Sequence, residues 1–200
     1  FQHYQKSLEK SGKLEEDEEL DSNEYNPDKP DSEDELNNPL YTEDIVFQFY
    51  NKSSGKPLPG KGSGEKISSD KRKEFSKLAS IPNWRRKLSN FSIGKFECDG
   101  KEWNSVEHFY QANKYKNSNE INHFYDSFSL DSGSELSKDP ILAKASSSKT
   151  GKYNGKEIRP DGVSMDMDFM GKRREKTMQD GLYCKFNQIP EYKELLLETK

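Results

Sequence analysis

Histidine and cysteine are scarce in this chain, three of one and two of the other among 200 residues. His3, His108 and His123 form no HxxxH or HExxH pattern, and Cys98 and Cys184 have no metal-ligand spacing, so neither a structural metal nor a cofactor is expected. Two cysteines make no disulfide framework either; the expectation is two half-buried free thiols in a reducing compartment. Apolar residues are also few, 30% against 34% charged, and no apolar run is long enough to span a bilayer. With no secretory signal visible, a cytoplasmic location without a membrane partner is expected, a virion or viral factory being the alternative. The chain begins with Phe and stops in mid-pattern at Lys200, so it reads as a piece of a longer protein.

Charge is unevenly spread. Residues 1–40 hold 13 acidic and 4 basic side chains, while the remaining 160 hold 23 and 28. The acidic block has few apolar residues and prolines at 27, 30 and 39, so it cannot bury enough surface to offset its chain entropy. Residues 1–43 are therefore expected to be a disordered or loosely docked arm. It is either a solubilising linker or a tail that contacts another protein.

Residues 44–200 read as one domain. Ile45 to Tyr50 is a β-type run. An insert at about 51–87 follows, opening with a Gly/Pro/Lys/Ser loop at 56–64 and continuing as a basic helix over about 69–79. The Gly-x-Gly spacing at 60–64 lacks the Gly-Lys-Ser/Thr ending of a phosphate-binding loop and reads as a flexible lid or surface loop. Ser80-Ile81-Pro82 closes the insert, and Trp84-Arg85-Arg86 leads into the stretch that follows. Trp84-Arg85-Arg86 is placed either to cover a phosphate-bearing ligand or to anchor the insert by its aromatic ring.

The most informative stretch runs from Leu88 to Lys116. Phe96 to Cys98 and Lys101 to Trp103 flank Asp99-Gly100, which predicts a tight hairpin. Asn104 or Ser105 is placed to cap a helix over about 106–115. On it Glu107, Gln111 and Lys114 share one face, and Val106, Phe109 and Ala112 share the other. The polar face sits beside Trp103 and Tyr110, which suits a small polar ligand. Two plainer readings stand beside this one: Asn104-x-x-Glu107 fits a capping box, and the row fits a solvated helix face.

Downstream, the 121/124/125/128 spacing predicts a helix with one apolar face, and Asp139-Pro140 starts a short one through Ala145. Residues 151–162 read as a basic loop. A long helix is expected over about 168–188 and a last one from Pro190 to Thr199.

Ser89-Asn90-Phe91, then Asp99-Gly100-Lys101-x-Trp103-x-Ser105-x-Glu107-His108-Phe109-Tyr110-Gln111-Ala112-x-Lys114, resembles the signature of the NADAR (YbiA-like) family. Met178-x-x-x-Leu182-x-x-Lys185-Phe186 resembles a further helix of that family. Asn104 stands where the family usually has Pro, and Gly181 where it has Ala. Phe169 is the nearest counterpart to a Trp the family commonly carries. The resemblance covers roughly residues 45–200, and the family's closing Trp-Gly-x-Gly segment is not among them. It implies an α+β fold, mostly helical, YbiA-like, with a few short β-strands.

It also implies an N-glycosidase acting on a phosphorylated nucleoside or ADP-ribosyl substrate. That would be a riboflavin-pathway intermediate or ADP-ribosylated guanine in nucleic acid. In that reading Glu107 is the catalytic carboxylate, and Lys114 or Arg86 binds phosphate. Trp103 or Tyr110 stacks on the base, while Asn90 and Gln111 hydrogen-bond the ribose or ring edge beside Phe91. The rival readings are a non-catalytic binding or structural module of a larger protein, and nucleic-acid binding through the basic loops at 61–73 and 149–159.

Overall fold

The computed structural model describes residues 44–118 and 123–200. The acidic arm and the start of the helix expected at 121 lie outside them. The described chain divides into two compact units, one up to Arg85 and one from Arg86 to Glu198.

In the first unit the expected strand over 45–50 does not form. Only Val46 pairs, with Lys66, through N–H to O bonds of 2.7 and 3.0 Å. The run is used for its side chains instead: the Phe47 ring meets Phe75 and Trp84 edge-on, at 5.1 and 5.7 Å between centroids. The basic helix expected at 69–79 is a 3₁₀ turn, Lys71–Phe75, running into α1, Ser76–Ser80. It ends where Ile81 turns extended ahead of Pro82, as a residue before proline must.

The glycine-rich stretch is a surface loop folded around a buried ion pair. Glu65 and Arg85 form a bidentate pair inside it, Nε to Oε1 2.6 Å and Nη2 to Oε2 2.7 Å, with both side chains almost wholly out of water. The remaining lone pairs and protons are spent on the loop. Gly60 and Gly62 donate N–H to Glu65 Oε2 at 2.8 and 2.9 Å, and the guanidinium donates to the carbonyls of Lys56 and Leu58. A Cβ on Gly62 would lie 2.8 Å from the Glu65 carboxyl carbon and 2.9 Å from Arg85 Nε, so the close approach requires glycine. Trp84 donates its indole N–H to Pro57 O at 3.0 Å and stacks under the Arg85 guanidinium at 4.1 Å. Of the two roles open to Trp84, the structure shows the anchor.

The second unit is mixed α and β and mostly helical. Arg86 lies on α2, Trp84–Leu88. Strands β1, Phe96–Cys98, and β2, Lys101–Trp103, pair antiparallel with Phe96 opposite Trp103. Asp99 and Gly100 take φ of 58° and 72°, the positive values a two-residue hairpin needs. Next comes α3, Val106–Asn113, then 3₁₀ turns at Phe124–Phe128, Leu130–Ser132 and Glu135–Ser137. Helix α4, Pro140–Ser146, starts with Asp139 accepting from the Ile141 N–H and Pro140 in the first turn.

Residues 151–162 are not all loop. Strands β3, Lys152–Tyr153, and β4, Lys156–Glu157, close a second hairpin around Asn154-Gly155, whose φ values are 50° and 75°. A 3₁₀ turn, Met167–Met170, breaks at Gly171 from α5, Lys172–Gln188, and α6, Pro190–Leu197, completes the unit.

Helix α3 is the centre of this unit, packed by α4, α5 and the Phe124–Phe128 turn. Its buried neighbours are aromatic: Trp103 on Phe109, and Tyr115, Phe124 and Phe128 on one another. Each fully buried side chain of this kind contributes roughly 2–3 kcal/mol. Helix α5 crosses β1, and there Cys98 and Cys184 are joined in a disulfide, Cα to Cα 5.9 Å. This corrects the expectation of two free thiols. The pair is 86 residues apart in sequence, and only the packing of α5 on β1 brings it together.

Gly181 is likewise a packing residue, not an exposed defect. A Cβ there would lie 2.8 Å from Phe109 Cδ1 and 3.4 Å from Val106 Cγ1. Gly181→Ala gains about 1 kcal/mol of helix propensity but overpacks the α3–α5 contact at a cost of about 1–3 kcal/mol. The expected outcome is a lower midpoint in urea; a higher one would show that Phe109 moves freely aside.

Candidate active site around Glu107

Ser105 caps α3: its backbone is extended and its side-chain oxygen accepts the His108 N–H at 3.3 Å. Glu107 therefore stands in the first turn without a capping duty. Its carboxyl is not turned back to a backbone N–H. Oε1 accepts from Gln111 Nε2 at 2.7 Å, one turn along the helix. Glu107 is 6% exposed and Gln111 4%, so the solvated-face reading fails as well. Glu107 and Gln111 of the predicted polar row are buried, and Lys114, at the helix end, is half-buried.

Burial raises the Glu107 carboxyl above the usual carboxylate range. The Gln111 hydrogen bond and the Lys144 and Lys114 ammoniums oppose that shift. Position in the first turn, at the positive end of α3, favours the charged form too. Burial outweighs these opposing effects, so the net shift is upward, and carboxyls perturbed in this way are common among groups that move protons.

Asn90 reaches the same place. Its carbonyl accepts the Glu107 N–H at 3.0 Å, and its Nδ2 donates to Met178 Sδ at 3.4 Å. Tyr110 is half-buried with its ring edge-on to Phe169 at 5.3 Å, and Lys114 Nζ lies 5.6 Å from the Tyr110 centroid. Burial raises the Tyr110 phenol, Arg174 opposes the shift, and the Glu107 charge adds to it. Lys114 ends α3, and its carbonyl accepts from Asp166 N–H at 2.7 Å, tying the helix end to the chain before α5.

Not every predicted residue arrives. Trp103 is fully buried: its indole N–H donates to Cys98 O at 2.8 Å, and its ring meets Phe109 and Tyr125. It is a core residue here, with no face left for a base. Phe91 is half-buried in the turn after Asn90. Arg86 is exposed, and its carbonyl closes the turn to Ser89 N–H at 3.1 Å. Lys144, Arg174 and Met178 were not anticipated as site residues. Lys144 sits on a short Ala-rich helix and Arg174 in a basic run, with nothing in either stretch to mark them.

Two further features bear on the site. An open groove of about 590 Å³ lies near Cys98, Phe109, Asn113, Arg173, Thr177 and Cys184, and Glu107 does not line it. Its cations are taken: Lys116 pairs with Asp99, Lys176 with Asp180 and Arg173 with Asp166. The groove thus offers little net field to an anion. Among the described residues no group of three or more His, Cys, Asp or Glu side chains is placed to hold a metal, and no helix is long and apolar enough to cross a membrane.

His108, next to Glu107, is fully buried with Nδ1 2.7 Å from Ser105 Oγ. Burial pulls its pKa from 6.5 down to about 4, against the opposing pull of Asp139. Between those values the unfolded chain binds a proton that the folded one does not, so stability falls as pH drops from about 6.5 to 4. The expected loss approaches 3 kcal/mol, and His108→Gln should flatten that slope. Urea midpoints at pH 7, 5.5 and 4.5 for both proteins check this. Equal slopes would contradict it.

No protein-family model matches the chain, and no curated protein matches it. Among solved structures it is similar to the NMR structure of the E. coli protein YbiA, at 23% identity and a TM-score of 0.38. The likeness covers 57% of this chain and 55% of that one, so the match spans little more than half of the YbiA chain. It is a distant likeness.

Proposed function

We propose that the Glu107 site hydrolyses an N-glycosidic bond in a phosphorylated ribosyl or ADP-ribosyl compound. The observation that carries this reading is the buried Glu107 carboxyl, held by Gln111 and flanked by the Lys114 and Lys144 charges. The motif resemblance at Asn90 and at Glu107 to Lys114 supports it. In the proposed step the anomeric C–N bond breaks and its electron pair leaves with the base nitrogen, which takes up a proton from solvent water, matched by the later release to solvent of the proton that Glu107 gains. Positive charge grows on the sugar, and the Glu107 carboxylate stabilises it. Water then bonds to the anomeric carbon and gives its proton to Glu107. Lys114 and Lys144 supply charge for a phosphate, and Tyr110 supplies the aromatic edge.

A second reading, a non-catalytic binding or structural module, is favoured by one observation. Phe169, the nearest counterpart of the family's Trp, is fully buried against Tyr110. The experiment that separates the two incubates the protein with ADP-ribosylated guanine DNA and, in parallel, with the riboflavin-pathway ribosylamine phosphate. Base release is followed by chromatography. Release from either substrate supports the glycosidase; folded protein that releases neither supports the module.

A further inference from the structure

Lys185 is wholly buried on α5, yet no carboxylate among the described residues pairs with it. Its ammonium donates to two backbone carbonyls, Ser89 O at 2.9 Å and Lys87 O at 3.2 Å, with the rings of Tyr192 and Phe186 at 4.6 and 5.2 Å. Burying an ammonium without a counter-ion is costly, and an apolar side chain would fill the same space at less cost. A methionine could not satisfy those carbonyls, however, and they belong to the turn that leads into the site. The next carbonyl along, Asn90 O, receives the Glu107 N–H, and the Asn90 side chain reaches Met178, two turns back along α5 from Lys185. Helix α5 therefore grips one turn at two points, and that turn fixes the first turn of α3.

We infer that Lys185 is a positioning residue, whose hydrogen bonds to Ser89 O and Lys87 O set the Asn90 carbonyl and, through it, the place of Glu107. This rests on Glu107 being the working group. The grip itself is a statement about the 87–90 turn, and it can fail or stand independently of any activity. Burial brings the Lys185 pKa down to about 7, while the two carbonyls and the two rings favour the ammonium.

The test is amide hydrogen exchange by NMR on wild type and Lys185→Met. The expected result is at least about 10-fold faster exchange of the Glu107 amide, which bonds Asn90 O, with the paired amides of β1 and β2 unchanged. The Glu107 carboxyl titration, followed by ¹³C shift, should move with it. A merely structural lysine would speed all these amides together or none of them, and either pattern overturns the inference. Should Lys185→Met fail to fold, Lys185→Gln, which keeps N–H donors on a shorter stem, carries the same comparison with the same two readings. If wild type proves inactive on every substrate while the selective exchange effect appears, the glycosidase reading fails and the grip stands.

Discussion

Glu107→Gln should lower kcat by about 1,000-fold, the usual loss when a positioned acid–base group is removed, without weakening the fold. The two effects separate because glutamine keeps the shape and can still share a hydrogen bond with Gln111. What it loses is the charge, and a buried carboxylate whose desolvation outweighs the Gln111 hydrogen bond and the nearby ammoniums is not a source of stability. Thermal unfolding of the variant should fall at or above the wild-type midpoint while turnover disappears. If the proposed reaction runs here, the wild-type rate should fall on the acid side, because that reaction needs the carboxylate. That fall should begin above the ordinary carboxylate range, since burial raises the Glu107 pKa. A variant that keeps full activity would reduce Glu107 to a buried partner of Gln111.

Arg85→Met should cost about 3–5 kcal/mol, the penalty for breaking a buried ion pair on one side only. The Glu65 carboxylate would keep the N–H groups of Gly60 and Gly62 but lose its counter-ion. The carbonyls of Lys56 and Leu58 would lose their donor. With typical stabilities of about 5–15 kcal/mol, the loss is large enough to open the 56–65 loop to protease in native buffer. Exchanging both partners, Arg85→Met with Glu65→Met, should recover much of the loss, because the desolvated charge is then gone as well. Urea unfolding with limited proteolysis measures both variants. A small loss in Arg85→Met would mean that water already reaches the pair.

Much of the second unit was legible in the sequence. Asp99-Gly100 announces its hairpin because only a few residue types accept positive φ twice in a row. The α3 register follows from where Val106, Phe109 and Ala112 fall. Asn154-Gly155 carries the same hairpin signal as Asp99-Gly100, yet four charged or polar neighbours hid so short a pair of strands. The strand expected at 45–50 fails for the opposite reason: its apolar run matches a strand, but Phe47 is spent on Phe75 and Trp84.

Long-range pairings were the least legible. Nothing in the spacing of Cys98 and Cys184, or of Glu65 and Arg85, shows that they meet. At the site, the row Glu107, Gln111 and Lys114 was visible from helical periodicity, but the burial of Glu107 and Gln111 was not, because the elements covering them arrive from distant parts of the chain. Trp103 was misplaced for a related reason: an indole beside a polar stripe looks available until its N–H is seen bonded to Cys98. Lys185 did leave a trace, a charge on the stripe begun by Met178 and Leu182.

The most direct measurement runs the reaction in H₂¹⁸O with wild type and Glu107→Gln, and weighs the released base and sugar by mass spectrometry. Wild type should give an unlabelled base and one ¹⁸O on the sugar, and the variant neither product above background. Folded wild type that releases no base, or release that Glu107→Gln leaves undiminished, would contradict the proposed glycosidase role of Glu107.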